Sequence, residues 1–317
     1  MSLGYLRLGN PALESVYRAA VEKLKEGAYS CEGLCKADLY MLGLAEADDY
    51  VKALMSPTPI NLNIRLTDPC DAYEAARVLL LNMPRQQALS SLTSLRREAL
   101  IKCGELDRLA LRIMPRGEAL RLLGKYYVDA VNGRLGIDGI IKLSYALASY
   151  GLYGMAIGLV ERFRDELTNA NPVNLVKLVL NGILGIVPWS RGILAGVSHL
   201  EHLRWVIAIV KYRDEPCLIV QFKSMGMPNT VSNCRTQVEG ARLHLRGLSI
   251  GIGDRPIKAT LKGRGVFFEF MVNNTEGPIV HRVGGRGCVI RGMDFELHEC
   301  QDITIAPGDY VSIYGHY

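Results

Sequence analysis

Residues 205–222 read WVIAIVKYRDEPCLIVQF, and in this stretch the chain changes from helical to β-strand patterning. Two runs rich in β-branched and aromatic residues flank RDEP, whose residue types are typical of a turn. Similar runs follow at 241–252 (ARLHLRGLSIGI), 265–272 (GVFFEFMV) and 309–315 (DYVSIYG). Short strands separated by glycine-rich turns are typical of a β-sandwich or a barrel.

Upstream of residue 205 the apolar residues recur with the spacing of a helix. In 11–27, Pro11 suits the first helical turn and Gly27 suits the position after the last. Asp71 is predicted to cap a helix that ends before Pro84. Further helices are predicted at 36–55, 85–103, 104–114 and 116–132, as a hairpin of 137–150 and 152–168 that turns at Gly151, and as a buried helix within 173–197 that breaks at Pro188.

These patterns predict an α+β multidomain protein. An all-α N-terminal region would cover residues 1–204, and an antiparallel β-sandwich would cover 205–317. The prolines at 57, 59 and 69 place a loop and a sub-boundary near 56–70. The N-terminal region is not recognised as a known family.

Composition sets limits on the class of protein. The 317 residues carry a net charge of +5, with 49% apolar and 22% charged residues, as in an ordinary globular chain. The N-terminus lacks the pattern of a signal peptide, and the apolar stretch 173–197 is interrupted by Lys177 and Arg191. We therefore expect no transmembrane segment and a cytoplasmic location. The eight cysteines are expected to be reduced by default, with oxidation of some of them as the alternative in a thermophile.

Two groups of residues are candidate metal sites. Cys31 and Cys35 form a single CEGLC pair without the second pair that a zinc ribbon requires. The second group consists of His281, Cys288, His298 and Cys300. These residue types bind zinc, but their spacing matches no known zinc motif. No nucleophile elbow, phosphate-binding loop or HExxH motif is present. The sequence therefore predicts no cofactor, no metal and no catalytic residues.

The last 75 residues resemble a forkhead-associated domain, the β-sandwich that reads phosphothreonine. The resemblance lies in LSIGIGDRP (248–256), GVFFEFMV (265–272), NNTEGPIVH (273–281) and ITIAPGDYVSIYG (303–315). The family places an asparagine near such an NNTEGP turn to hold the bound peptide, so the resemblance implies that role for Asn273 or Asn274. The family's Gly-Arg pair is replaced here by Gly253-Asp254-Arg255, and its Ser-x-x-His is missing.

The leading hypothesis is a non-enzymatic binding or scaffold protein whose sandwich docks a partner segment, phosphorylated or not, at one sheet end. The residues predicted to line that end are Arg255, Lys258, Arg264, Asn273 and Asn274. The helical region would act as a scaffold or as the surface of a homo-oligomer.

The alternative is a nucleic-acid-binding or encapsidating protein that uses the helices of 85–134. This segment holds ten Lys/Arg and five Asp/Glu, a local charge of +5. Basic side chains on one face would grip phosphates. The candidate contacts are Arg97, Arg108, Arg112, Arg116, Arg121 and Lys125. A further alternative is an assembly subunit, such as a shell or capsid protein.

Overall fold

The computed structural model describes residues 3–27, 29, 31–56, 68–79, 85–190, 192–224, 227–232, 236–238, 243–244, 248–251, 256–263, 265–273, 275, 277–292, 295–307 and 309–317. Its helices are α1 Pro11–Glu26, α2 Leu34–Met41, α3 Asp49–Leu54, α4 Pro69–Leu79, α5 Arg85–Lys102, α6 Glu105–Ala110, α7 Arg116–Val131, α8 Ile137–Ser149, α9 Tyr153–Arg162, α10 Arg164–Leu167, α11 Pro172–Lys177 and α12 Leu200–Leu203. A π-helical turn, Leu178–Ile183, follows α11 directly.

The strands are β1 Tyr5–Leu8, β2 Val187–Trp189, β3 Gly192–Ala195, β4 Trp205–Tyr212, β5 Glu215–Ser224, β6 Met227–Ser232, β7 Thr236–Val238, β8 Leu243–His244, β9 Leu248–Gly251, β10 Ile257–Gly263, β11 Val266–Val272, β12 Ile279–His281, β13 Arg286–Arg291, β14 Glu296–Leu297, β15 Ile303–Ile305 and β16 Tyr310–His316. Helices dominate the first part of the chain and sheets the second, which confirms the α+β class. No helix in the described residues is long and apolar enough to cross a membrane.

Local sequence explains where several helices begin and end. Asn10 caps α1 by accepting a hydrogen bond from the backbone N–H of Leu13 at 2.9 Å, and Pro11 occupies the first turn as predicted. The predicted hairpin of α8 and α9 is confirmed, and Gly151 supplies the positive φ of +81° at its turn. The cap of α4 was predicted at the wrong residue, because Asp68 instead accepts from the N–H groups of Cys70 and Asp71.

The prediction of an all-α N-terminal region is wrong at two places. Residues 5–8 form β1, which pairs antiparallel with β4 along Tyr5↔Ile209 to Leu8↔Val206. The predicted helix of 173–197 ends in the π-helical turn, and β2 and β3 follow as a hairpin that pairs Pro188 with Ile193. The segment 187–195 is largely apolar and short, so its pattern alone does not separate strand from buried helix, and residues 5–8 offer an alternation of only four residues.

The described strands form two large sheets and two small ones. The first large sheet has the order β1-β4-β5-β6-β8, and the second has the order β14-β13-β16-β11-β10-β9. The small sheets are β12-β15 and β2-β3-β7. The predicted RDEP turn joins β4 to β5 as a two-residue hairpin, with Arg213 and Asp214 at φ of +51° and +63°. Most pairs are antiparallel, but β6–β8 and β3–β7 are parallel.

Three buried clusters show how the layers stack. One face of the first sheet, including Val206 and Ile219, packs into the same core as the helices. The opposite face, including Phe222, packs on the second sheet, whose Phe270 ring lies 4.8 Å from the Phe222 ring. The far face of the second sheet packs under the β12–β15 ribbon in a third cluster around Ile290. The first sheet therefore connects the helical core to the second sheet across the predicted boundary at 204/205.

The structure shows the oxidised alternative for the cysteines and not the reduced default. The structure contains the disulfides Cys31–Cys35, Cys70–Cys103 and Cys288–Cys300, and Cys217 is also disulfide-bonded. Cys70–Cys103 links α4 to the end of α5, and Cys288, within β13, is bonded to Cys300, three residues after β14. Sequence spacing could not reveal these pairs because the partners of two of them are brought together only by the fold.

Candidate functional site

A groove of about 660 Å³ lies where the helical region meets the end of the second sheet, and we call it the junction groove. Arg7 on β1 and Glu14 and Arg18 on α1 line it from the helical region, and Trp205 and Val272 line it from the two sheets. The other lining residues are Leu8, Gly9, Pro11, Ser15, Ala19, Glu22, Asn273 and Thr275. The groove thus combines charged side chains with apolar ones, as binding sites commonly do.

The carboxylate of Glu14 organises the charged side of the junction groove. It accepts a hydrogen bond from the backbone N–H of Leu8 at 2.9 Å, and it lies 2.8 Å from Nε of Arg7 and 2.6 Å from Nη2 of Arg18. The Glu14 side chain is only 10% exposed, whereas that of Arg18 is 63% exposed. Glu14 therefore fixes β1 and Arg7 to α1, while Arg18 remains accessible to a ligand.

Asn273 holds the turn that forms the sheet side of the junction groove. Its side chain is fully buried, and Nδ2 donates to the carbonyls of Gly277 and Ile305, both at 2.8 Å. Its Oδ1 accepts from the backbone N–H and the hydroxyl of Thr275. The structure thus places this predicted site residue at the groove, but its amide is engaged within the turn.

Lys258 lies outside the junction groove. It pairs in register with Met271, on the face of β11 opposite to Val272, and its Nζ lies 3.0 Å from Oε1 of Glu269. Nε2 of His281 lies 2.8 Å from the other oxygen of Glu269. Burial alone would raise the pKa of Glu269, but hydrogen bonds from His281 and Lys258 hold that pKa below its usual value. Lys258, whose side chain is 36% exposed, is therefore already paired in a charge cluster with Glu269 and His281.

Three of the predicted partner-binding residues, Arg255, Arg264 and Asn274, lie outside the described residues. Strands β10 and β11 join between Gly263 and Gly265, at the end of the pair opposite to Asn273. The predicted set is therefore represented at the groove by Asn273 alone among the residues that the structure describes, and the roles of the other three stay predictions.

The candidate nucleic-acid contacts are mostly exposed. Arg97 on α5 and Arg116, Arg121 and Lys125 on α7 face solvent, and so does Arg112. A helix is predicted over 104–114, but α6 ends at Ala110. Arg112 lies beyond it at a φ of +57° and therefore does not share a helical face with the half-buried Arg108. Its guanidinium lies 5.4 Å from the centre of the Tyr150 ring.

The local charge balance differs among these cations. The neighbouring Lys102 is neutralised by Glu98 at 2.6 Å, and Arg134 lies 3.6 Å from Asp129. Among the residues that the structure describes, no carboxylate lies within ion-pair distance of the exposed candidates Arg97, Arg112, Arg116, Arg121 and Lys125. These side chains are therefore available to an anionic partner.

A second cavity, of about 300 Å³, lies among α4, α6, α8 and α11, and we call it the helical pocket. Its carboxylates include Asp71, Glu74 and Asp107, and its cations are Lys142 and Lys177. Lys177 pairs with the buried Glu74, and Lys142 lies 2.8 Å from Asp107. Each lysine is already paired with a carboxylate inside the pocket. The two ion pairs therefore join the packed helices, and neither lysine offers an unpaired charge to a ligand.

The cysteines of both candidate metal sites are disulfide-bonded in the structure. Cys288 and Cys300 are bonded to each other, as are Cys31 and Cys35, so neither pair can supply thiolates to a metal. His281 contacts Glu269, and His298 lies 2.9 Å from Glu296. In the described ranges no three His, Cys, Asp or Glu residues converge as metal ligands.

Sequence reasoning missed the helical side of the junction groove. Arg7 and Glu14 lie about 200 positions from Trp205 in the chain, and nothing in their spacing connects them. The usable signal was the alternation in YLRL at 5–8, where Leu6 and Leu8 are buried and Tyr5 and Arg7 are less so.

No protein-family model matches the chain, and no curated protein has a matching sequence. Among solved structures, an α-L-rhamnosidase from Dictyoglumus thermophilum aligns with 94% of this chain and 36% of its own, at 12% identity and a TM-score of 0.31. An α-L-rhamnosidase from Streptomyces avermitilis complexed with L-rhamnose aligns with 95% of this chain and 30% of its own, at 12% identity and a TM-score of 0.30. The chain thus spans about a third of those chains, and likeness at this level carries no argument about fold or function.

Proposed function

We propose that this chain is a non-enzymatic binding or scaffold protein, in which a C-terminal β-sandwich docks a segment of a partner protein. The observation that carries the proposal is the junction groove, which lies at the Asn273 end of β11 and is backed by α1. Trp205 and Val272, which are 5% and 1% exposed, form the buried apolar base of the groove, and Arg18 offers an exposed cation. A polypeptide that presents apolar and acidic or phosphorylated side chains matches this combination.

Phosphorylation would act through the arginines of the groove. A phosphate group accepts charge-assisted hydrogen bonds, which arginine donates in a two-pronged geometry. Arg18 can move from Glu14 to a ligand because its side chain is mostly exposed, and Arg7 would remain with Glu14. The forkhead-associated resemblance, which implies a phosphothreonine reader, stays a proposal on this basis.

Replacing Arg18 by glutamate is expected to weaken binding of a groove-docking phosphopeptide by at least about 1–3 kcal/mol, because a charge-assisted hydrogen bond is lost and a like charge then faces the phosphate. The measurement is binding of a phosphothreonine peptide library and its unphosphorylated counterpart to the full chain and to the variant. The matched control is Arg282→Glu, because Arg282 has the same charge as Arg18 and its side chain is 91% exposed. If Arg18→Glu left peptide binding unchanged, the junction groove would not be the peptide-binding site.

The unneutralised cations of α5 and α7 favour a second candidate function, nucleic-acid binding. The triple variant Arg116→Ala, Arg121→Ala and Lys125→Ala is expected to reduce the slope of log affinity against log salt by about two to three, since each lost phosphate contact contributes roughly 0.7–0.9. Titration of single- and double-stranded DNA at several salt concentrations measures this slope. Absence of binding even at low salt would contradict the candidate.

The disulfides bear on where the protein works. Disulfides persist in oxidising compartments, or inside the cells of hyperthermophiles, where intracellular disulfides are common. The predicted cytoplasmic location is therefore compatible with the bonded cysteines only in the second case. Light scattering of the purified chain measures its particle size and so shows whether it forms the proposed homo-oligomer or a larger assembly.

A further inference from the structure

Helix α7 carries an outward face that has no partner within the described residues. Leu120 and Val128 on this face are 41% and 56% exposed. Gly117 and Gly124 have no atom within 4 Å of the place where a β-carbon would stand. The opposite face of the helix is already buried through Ala119, Leu122, Leu123 and Ala130.

The four outward residues form one strip. At 100° per residue, positions 117, 120, 124 and 128 fall within an arc of about 80°. We call this strip the α7 face. Large exposed apolar side chains cost free energy in water, and glycine weakens a helix interior by about 1 kcal/mol relative to alanine. An apolar strip that contains two glycines is therefore unfavourable for α7 unless another surface covers it.

Cations border the α7 face on both sides. Arg121 and Lys125 follow one edge, one helical turn apart, and Arg116 stands at the other edge. As described above, none of the three has a carboxylate within ion-pair distance among the described residues. The α7 face therefore combines an apolar centre, space for close approach at the glycines, and an unneutralised positive border.

We propose that the α7 face docks an acidic amphipathic helix of a partner protein. The apolar side of that helix would pack on Leu120 and Val128 and approach closely at Gly124, and its flanking carboxylates would meet Arg121 and Lys125. A second copy of the chain fits less well, because two α7 faces would bring the same cations together. A nucleic acid would use the cations but would leave Leu120 and Val128 uncovered.

This surface is separate from the junction groove, so the two proposals fail or succeed independently. The probe is a designed 20-residue helical peptide, about five turns, with leucines on one side and glutamates flanking them. Its counterpart carries lysines in place of the glutamates. Fluorescence anisotropy with the full chain is expected to show binding of the glutamate peptide at least tenfold tighter than that of the lysine peptide.

Three variants test the contacts. Gly124→Gln adds bulk at the centre of the α7 face and favours the helix, so a tenfold loss of binding cannot be ascribed to unfolding. The double variant Arg121→Glu/Lys125→Glu is expected to reverse the preference toward the lysine peptide. Val280→Glu, which alters an apolar residue of 69% exposure on β12, serves as the matched control and is expected to bind normally.

Several outcomes would overturn the proposal. Equal binding of the two peptides, or no binding of the glutamate peptide, would do so. A dimer that Gly124→Gln dissociates would assign the α7 face to a second copy instead. Displacement of the glutamate peptide by single-stranded DNA, combined with DNA binding that Gly124→Gln leaves intact, would assign the cations to a nucleic acid.

Discussion

Replacing Lys177 by methionine is expected to lower the free energy of unfolding by about 3–5 kcal/mol, because the change leaves a buried carboxylate without its cation. The Glu74 side chain is 3% exposed and forms its ion pair with Lys177. The remaining hydrogen bond to Glu74, from the Tyr145 hydroxyl at 2.8 Å, does not replace a full positive charge. Urea denaturation of the wild type and the variant at pH 7 measures the difference.

The pKa of Glu74 indicates how strongly Lys177 acts. Burial by itself would raise the pKa of this carboxyl, yet the Lys177 ammonium and the hydrogen bonds from Lys177 and Tyr145 hold it below its usual value. The same pairing raises the pKa of Lys177 despite its desolvation. Both groups are therefore charged at neutral pH, and removal of one exposes the full desolvation cost of the other.

Two controls distinguish a lost charge from a lost side chain. The double variant Glu74→Gln/Lys177→Met removes both charges while glutamine retains a partner for Tyr145, and it is expected to recover most of the lost stability. Lys142→Met breaks the more exposed pair with Asp107, in which Lys142 is 47% exposed, and is expected to cost about 0–1 kcal/mol. If Lys177→Met cost no more than Lys142→Met, the buried pair would not stabilise the helical core.

Local sequence patterns predicted the elements that depend on local forces. The apolar spacing around Val16 and the position of Pro11 predicted α1 to within one residue of its observed end. The hairpin of β4 and β5 was likewise predicted, because RDEP and its flanking apolar runs are contiguous. In each case the residues that determine the element lie within a few positions of one another.

Features that depend on distant contacts were not predicted. β1 is stabilised by pairing with β4, some 200 residues later, and its four-residue alternation is too short to specify a strand by itself. The Cys70–Cys103 disulfide requires α4 and the end of α5 to lie together, which spacing does not specify. The junction groove joins β1, α1 and β11 for the same reason, so of its residues only Asn273 was predicted.

Replacing Asp38 by asparagine is expected to stabilise the protein progressively as pH rises. Asp38 is 2% exposed, and burial raises its pKa to about 8, against the counteracting hydrogen bond from Asn181 and the charge of Lys177. In the unfolded chain the carboxyl titrates near its ordinary value of 3.8. Between these two values the folded state holds a proton that the unfolded state releases, so wild-type stability falls as pH rises through this window.

The contacts of Asp38 explain how it accommodates a proton. The amide nitrogen of Asn181 lies 2.6 and 2.7 Å from the two carboxyl oxygens, while its Oδ1 is buried without a partner among the described residues. Rotating the amide by 180° places Oδ1 where a protonated Asp38 can donate to it. The surrounding ionisable groups are Tyr17, Tyr50, Glu74, Tyr145 and Lys177. Only Lys177 among them is a cation, so ionised Asp38 is poorly compensated.

Asparagine at position 38 keeps the shape of a protonated aspartate, and its amide can pair with that of Asn181 at every pH. The stability of Asp38→Asn relative to wild type is therefore expected to rise by up to about 1.4 kcal/mol per pH unit between pH 4 and 8, to a total on the order of 5 kcal/mol, and then to level off. Urea denaturation at unit steps from pH 4 to 9 measures the difference. Asp165→Asn, at a side chain that is 82% exposed, is the control and should show no such rise.

The difference between the variant and the wild type isolates Asp38, because all other groups titrate in both proteins. A difference that stays constant across pH 4–8 would mean that Asp38 is ionised in the folded state throughout. Its charge would then have to be balanced by Lys177. In that case Lys177→Met would leave two buried carboxylates, those of Asp38 and Glu74, without a cation. The same pH series on the double variant Asp38→Asn/Lys177→Met separates these cases. If Asp38 holds a proton, it carries no charge for Lys177 to balance, so the two substitutions change the free energy of unfolding almost additively below pH 7.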